Sequence, residues 1–260
     1  MAYTLLRTER TDGIERVTLN RPEVRNAFNE ILVAELAGWA RATAADPDVR
    51  ACVIAGAGPA FCAGADIGWM ARMVDYTEAR NREDARAMAG MFDALDRLPQ
   101  PLVGRVHGAA LGGGTGLAAV CDVVVAAEDA VFGFTEVTLG ILPAVISPYC
   151  VAKMGPGHAR ALMLTGTRFD AARAQRAGLV HEVVPPPELD VAVHRVAAAI
   201  AVAAPTAVAA TKRLIGEVTG RPPSACLDLT SQAIAAQRVS AEGQDGLRAF
   251  LEKRSPRWRS

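Results

Sequence analysis

The sequence predicts an α/β fold that closes on a helical region. Three observations carry this. Short apolar runs alternate with segments of helical period through the first half of the chain, a glycine cluster joins one such run to a helix, and the chain beyond Pro143 is alanine-rich and periodic. A strand, helix, strand order of this kind implies parallel crossovers.

The elements follow in order. Ile14-Glu15-Arg16-Val17-Thr18-Leu19 alternates apolar and polar side chains as a half-buried strand does, and Thr11-Asp12-Gly13 before it reads as a hairpin turn, so the chain should open with an antiparallel pair. Arg21-Pro22 breaks the strand. From Ala27, residues Phe28, Ile31, Leu32, Leu36 and Trp39 recur at helical spacing until Asp46-Pro47 stops them. Residues 49–54 form a short apolar strand whose exit carries Phe61-Cys62-Ala63-Gly64-Ala65-Asp66-Ile67. The stretch from Trp69 to about Leu98 reads as irregular and then helical.

Residues 102–106 feed Gly112-Gly113-Gly114-Thr115-Gly116, and Leu117-Ala118-Ala119-Val120 follows as helix. Glycines let a second group approach the backbone, and the first turn of a helix carries N–H groups without carbonyl partners. Such a place suits a partial negative charge. Residues 121–126 are a further buried strand and 131–134 a brief one. Beyond Pro143 the pattern reads as helix only, at 159–164, 171–177, 189–203 and 206–218. Pro185-Pro186-Pro187 marks a rigid connection. The organisation expected is a core over 1–200 and a helical region over 201–260.

Composition narrows the function. Of 260 residues, 51% are hydrophobic, enough for a large core, and 28 basic residues balance 28 acidic ones. A neutral chain with 5% aromatics argues against a nucleic-acid surface, while a local basic pocket for one phosphorylated ligand stays open. No run of about 18 apolar residues suggests a membrane span and Met1 to Arg7 lacks a signal-peptide core, so a cytoplasmic protein is expected. The five cysteines have no paired spacing and read as buried thiols. His158, His181 and His194 are scattered, so no metal is expected. His107 reads as a packed, hydrogen-bonded histidine and Ser147 as a helix N-cap.

One carboxylate stands out. Glu136, in Phe134-Thr135-Glu136-Val137-Thr138-Leu139-Gly140, sits among apolar residues twenty positions beyond the glycine turn. Taken together in this order and spacing, the segments around Ala65, Gly113 and Glu136 resemble the crotonase (enoyl-CoA hydratase/isomerase) superfamily, from Arg21-Pro22 to the C-terminus. The flavour of Gly64-Ala65-Asp66-Ile67-Gly68-Trp69-Met70, Pro143-Ala144-Val145-Ile146-Ser147-Pro148 and Glu242-Gly243-Gln244-Asp245-Gly246 is most similar to bacterial methylglutaconyl-CoA hydratase-like members.

The resemblance implies a spiral of ββα repeats. It implies hydration of an enoyl-CoA, with the N–H groups of Ala65 and Gly113, beside Gly112, holding the thioester oxygen as charge develops, a role worth about 2.7–4 kcal/mol per donor elsewhere. The superfamily's hydratases use two glutamates. Glu136 matches the second, whereas Gly116 stands where the first would be. One glutamate could serve as both base and acid, or could shift a double bond as in an isomerase, or the chain could bind CoA thioesters without turnover. The resemblance further sets coenzyme A, part of the substrate and not a cofactor, against Arg25, Ala27, Ala63, Asp66 and Ile67, with Trp69 and Met70 near the acyl end. Phe250 and Lys253 match positions that reach a neighbouring subunit's site, implying a homotrimer or a dimer of trimers. For a distal carboxylate on the acyl group, Arg72 is the cation nominated.

Overall fold

The computed structural model describes residues 3–259. The chain opens on the hairpin β1 (Leu6–Thr11) and β2 (Ile14–Leu19), antiparallel in register Leu6↔Leu19. Asp12 and Gly13 take the positive φ values that a two-residue hairpin turn requires. β3 (Ala51–Gly56), β4 (Leu102–Val106), β6 (Val123–Ala127) and β9 (Glu182–Val184) then add in parallel, giving a six-stranded sheet in the order β1-β2-β3-β4-β6-β9.

A second sheet, β5 (Ala109–Leu111), β7 (Val131–Gly133) and β8 (Arg168–Asp170), runs β5-β7-β8. Isolated bridges, Cys62 to Ala110 and Phe28 to Ala65, extend it towards the N-terminal half. Each turn thus lays one strand in the large sheet and one in the small sheet before a helix, as β4, β5 and α4 (Gly113–Val120) do. This is the ββα spiral that the resemblance implied. Side chains of both sheets, Ile54, Val106, Ala110, Phe132 and Phe169 among them, share one core.

Four expectations are corrected. The helix expected from Ala27 is α1 (Glu30–Ala44). Phe28 is strand-like in its bridge, and Asn29 caps the helix by accepting from Leu32 N–H at 2.9 Å. The stretch after Trp69 is not irregular: Asp66 caps α2 (Ile67–Met73), and α3 (Glu78–Asp96) follows. β5, β8 and β9 are each three residues long, too short to show a period, and the last two fall where only helix was read. Ser147 opens α5 (Ser147–Thr165) as its first residue instead of capping it, and its hydroxyl donates to Ala144 O at 2.8 Å.

After α6 (Ala171–Arg176) and β9, the proline run leads into α7 (Leu189–Ala201). That helix covers the outer face of the large sheet through Leu189, Val193 and Ala197, against Val53, Val103 and Val125. α8 (Pro205–Val218), α9 (Leu227–Val239) and α10 (Ala241–Leu251) follow. Lys212 on α8 pairs with Asp122 at 2.7 Å, and Asp122 also accepts from Leu102 N–H, which ties the helical region to the sheet. Glu242 on α10 accepts from Thr206 and Ala207 N–H at the start of α8. Across α8 and α9 no side chain is buried, and Leu227, Ile234, Leu247, Phe250 and Leu251 are exposed. Among the described residues, no single helix is long and apolar enough to cross a membrane.

Candidate active site

Two crossovers meet at the site. Cys62 N–H donates to Ala109 O and Leu111 N–H to Cys62 O, each at 3.0 Å, which lays residues 62–65 along β5. The approach is so close that a Cβ on Gly114 would overlap the Cys62 carbonyl, so only glycine fits there. On the other side Phe28 N–H donates to Gly64 O (2.7 Å) and Asp66 N–H to Phe28 O (2.8 Å). That bridge directs the N–H of Ala65 away from Phe28. The ring of Phe28 in turn supports the glycine turn, 3.1 Å from where a Cβ on Gly113 would stand. Among the described residues neither Ala65 N–H nor Gly113 N–H has an acceptor. Both residues line a cavity of 510 Å³.

Glu136 lies on a 3₁₀ turn, Thr135–Leu139, directly after β7. Its place follows from strand pairing: Leu111 is opposite Gly133, Gly112 N–H donates to Gly133 O at 2.8 Å, and the buried Thr115 hydroxyl bonds both Ala110 O (2.6 Å) and Gly133 O (2.9 Å). Gly112 has φ 51° and ψ −119°, a conformation open to glycine. A Cβ there would come 3.1 Å from Glu136 Oε1. Glu136 Oε2 is buried without a hydrogen-bond partner among the described residues. Burial pushes the carboxyl above its ordinary pKa, opposed in part by the residue's own backbone N–H. A half-buried carboxylate with a free oxygen and a raised pKa is suited to exchanging a proton with a substrate.

The position matching the first family glutamate, Gly116, is closed. A Cβ on Gly116 would overlap Cγ2 of Ile146 and come 3.4 Å from Phe92 Cζ. Ile146 is 2% exposed and lines the same cavity as Glu136, so an apolar side chain occupies the place where a second acid would stand. Met70, Met73, Met88, Ile141 and Leu142 make much of the remaining lining.

The whole of this frame matches a known family: residues 9–260 fit the family described as enoyl-CoA hydratase/isomerase. The chain belongs to that family, the crotonase superfamily. An enoyl-CoA hydratase from Shewanella pealeana has a similar structure, with a TM-score of 0.95 at 36% identity, covering 98% of this chain and 96% of that one. The 2,3-dehydroadipyl-CoA hydratase of Escherichia coli is 36% identical over 242 residues, 92% of either chain. The crotonyl-CoA hydratase of Syntrophomonas wolfei is 32% identical over 256 residues, 98% of this chain and 97% of that one. With relatives of this kind along its full length, the chain is an enzyme of the hydratase class. Two relatives named for different acyl groups lie at comparable identity, so the acyl group has to be argued from the cavity.

Within this enoyl-CoA hydratase/isomerase fold, Ala63, Ala65, Ile67, Trp69, Gly112, Gly113 and Glu136 line the cavity. Arg25 and Ala27 lie alongside, Arg25 O accepting from Ala63 N–H at 3.0 Å, and the Arg25 side chain is exposed. The Asp66 carboxylate is occupied structurally: it caps α2 through Trp69 N–H (3.1 Å) and pairs with Arg21 (2.9 Å), and those bonds hold its pKa low against burial. Phe250 and Lys253, at the end of α10, do not line the cavity of their own chain. Arg72 does not line it either and pairs with Glu30 at 2.6 Å. The lining cation is Arg168, opposite Gly133 in the β7–β8 pair, and its guanidinium has no acid partner among the described residues.

The remaining sequence candidates are structural. His107 bridges Arg105 (3.0 Å) and Gly58 O (2.8 Å). All five cysteines are buried, and burial pushes the thiols of Cys52, Cys62, Cys121 and Cys150 up to about 12, which makes them poor nucleophiles. Among the described residues no group of three His, Cys, Asp or Glu could hold a metal.

Proposed function

We propose that the chain adds water across the double bond of a 2-enoyl-CoA. The N–H groups of Ala65 and Gly113 hold the thioester oxygen while negative charge builds on it. Glu136 takes a proton from water as the hydroxyl oxygen bonds to C3, and the same carboxyl returns that proton to C2, so that H and OH both come from one water. The observation that carries this reading is the convergence on one cavity of two N–H groups without acceptors, from separate crossovers, with a buried carboxylate oxygen that has no partner. The experiment follows the conjugated thioester absorbance of a trans-2-enoyl-CoA. It should fall with the native chain, and Glu136→Gln should slow that fall by about 10²- to 10⁴-fold while acyl-CoA binding is kept. Unchanged rates in the variant would remove Glu136 from the mechanism.

Coenzyme A enters as part of the substrate, along Arg25, Ala27, Ala63 and Ile67. Phe250 and Lys253 reach it from a neighbouring copy in a homotrimer or a dimer of trimers built by residues 201–260 on a core of 1–200. The exposed apolar side chains of α9 and α10 support that assembly. For the acyl group we favour a short branched dicarboxylic enoyl-CoA such as 3-methylglutaconyl-CoA, its distal carboxylate facing Arg168. The unpaired guanidinium and the dicarboxylic acyl name of the E. coli relative support this. A panel of acyl-CoA thioesters tests it.

A second reading is an enoyl-CoA isomerase. The apolar wall at Ile146 favours it, because one carboxylate can move a proton between neighbouring carbons without an opposing acid. With a 3-enoyl-CoA an isomerase makes conjugated absorbance appear, whereas a hydratase given a 2-enoyl-CoA makes it vanish.

A further inference from the structure

Beside the site cavity lies a second one, of 310 Å³, between α1 and α3. Its walls carry small side chains, Ala34 and Ala37 on α1 and Ala87 and Gly90 on α3, and a Cβ on Gly90 would meet no atom within 4 Å. Each cavity is in the range of about 300–1,000 Å³ usual for small-molecule sites. Trp69 and Asp84 are the two residues common to both walls.

Trp69 is 3% exposed and fixed at both ends. Its backbone N–H is held by Asp66, and its indole Nε1–H donates to Asp84 Oδ2 at 3.3 Å. Asp84 faces Arg80 across 3.6 Å. One helical turn beyond Trp69 is counted in three residues, to Arg72, whose bond to Glu30 at 2.6 Å fastens α2 to α1 at the side of the second cavity. A buried indole with its N–H satisfied holds one orientation. The ring therefore stands as a fixed wall with open space on either side, and the near side is apolar, lined by Met70, Met73 and Met88.

We infer that Trp69, pinned by Asp84, is the partition that sets the acyl-chain length this site accepts, and that removing it joins the second cavity to the first as an extension for longer chains. The inference rests on the acyl-CoA reading above and adds to it a specificity-determining residue and the place where a longer chain would go. An alkyl chain gains from each methylene it buries, about 10- to 200-fold in discrimination where a pocket has room for it, and the indole withholds that room.

The test compares the dissociation constants of decanoyl-CoA and butanoyl-CoA, saturated thioesters that bind without reacting. It uses the native chain, Trp69→Ala, Gly90→Leu and the two changes together. Trp69→Ala should shift the ratio towards decanoyl-CoA by about tenfold or more. Gly90→Leu alone should leave the native ratio, and added to Trp69→Ala it should erase the gain by refilling the chamber. A ratio unchanged in Trp69→Ala overturns the partition. A gain that survives Gly90→Leu also overturns it, because the extra room would then lie elsewhere. Trp69→Leu, which keeps an apolar filling, is read in the same way should the alanine variant not fold. Because binding alone is read, absence of turnover in the native chain would count against the hydratase reading and not against the partition.

Discussion

Ile146 fills the space that any side chain on Gly116 would enter. Where the first family carboxylate would stand there is therefore an apolar replacement, with Phe92 Cζ also only 3.4 Å from that position. Gly116→Glu should not restore a second acid but should overpack the core, at a cost of about 1–3 kcal/mol. For a chain of this size that lowers the thermal midpoint by about 2–4 °C per kcal/mol. Combining it with Ile146→Ala should recover much of the loss. Thermal unfolding of the three variants measures this, and a Gly116→Glu chain as stable as the native one would contradict the overlap.

Glu136 should leave two pH signatures of opposite sense. In the proposed role of base accepting a proton from water it has to be ionised, so kcat/KM should fall as pH drops through a pKa lying above the ordinary 4.5, the direction in which burial moves it. For stability the sign reverses. A carboxyl whose pKa is higher folded than unfolded binds more protons in the native state, so its burial costs nothing at low pH and destabilises as pH rises through the raised pKa. Glu136→Gln should accordingly melt at a higher temperature than the native chain at neutral pH, with the difference closing in acid. Melting curves across pH check it. A variant less stable at neutral pH would mean that the carboxylate has a partner that holds it.

Much of this frame is legible in the sequence because it is local. The alternation of Ile14 to Leu19, the Asp12-Gly13 turn and the glycine cluster each carry their geometry within a few residues. What escapes is set by pairing across the chain. Arg168 reaches the cavity only because β8 pairs with β7 at Gly133, and Ile146 meets Gly116 only because α5 folds back on α4. Phe28 looks like the first apolar position of a helix, yet its backbone bridges Ala65 and its ring sits under Gly113, contacts that no period encodes. Arg72 looks free in the sequence, and Glu30, forty-two residues earlier, takes it.

Arg168 should discriminate among acyl groups without serving all of them. Arg168→Met keeps much of the side chain's apolar bulk and removes the charge. If the guanidinium meets a distal carboxylate, kcat/KM for a dicarboxylic enoyl-CoA should fall by about tenfold or more, as loss of a charge-assisted hydrogen bond does. Turnover of crotonyl-CoA, which has no distal carboxylate, should change little. Equal losses on both substrates would give Arg168 a general role in place of a selective one.

The helical end carries the last test. Phe250 is 83% exposed and Leu251 78%, on a helix whose buried side chain is Ala249 alone among its described residues, and side chains of this size gain about 1.5–3 kcal/mol on full burial. A neighbouring copy covering them would account for apolar groups that the single chain leaves in water. Leu251→Asp should then shift the molar mass in solution from a multiple of three towards the monomer. Phe250→Ala should weaken CoA-thioester binding more than it weakens assembly if the ring reaches a neighbour's site. Light scattering and titration with a saturated acyl-CoA separate the two effects. A native chain that is already a monomer, yet binds acyl-CoA fully, would detach both residues from the site.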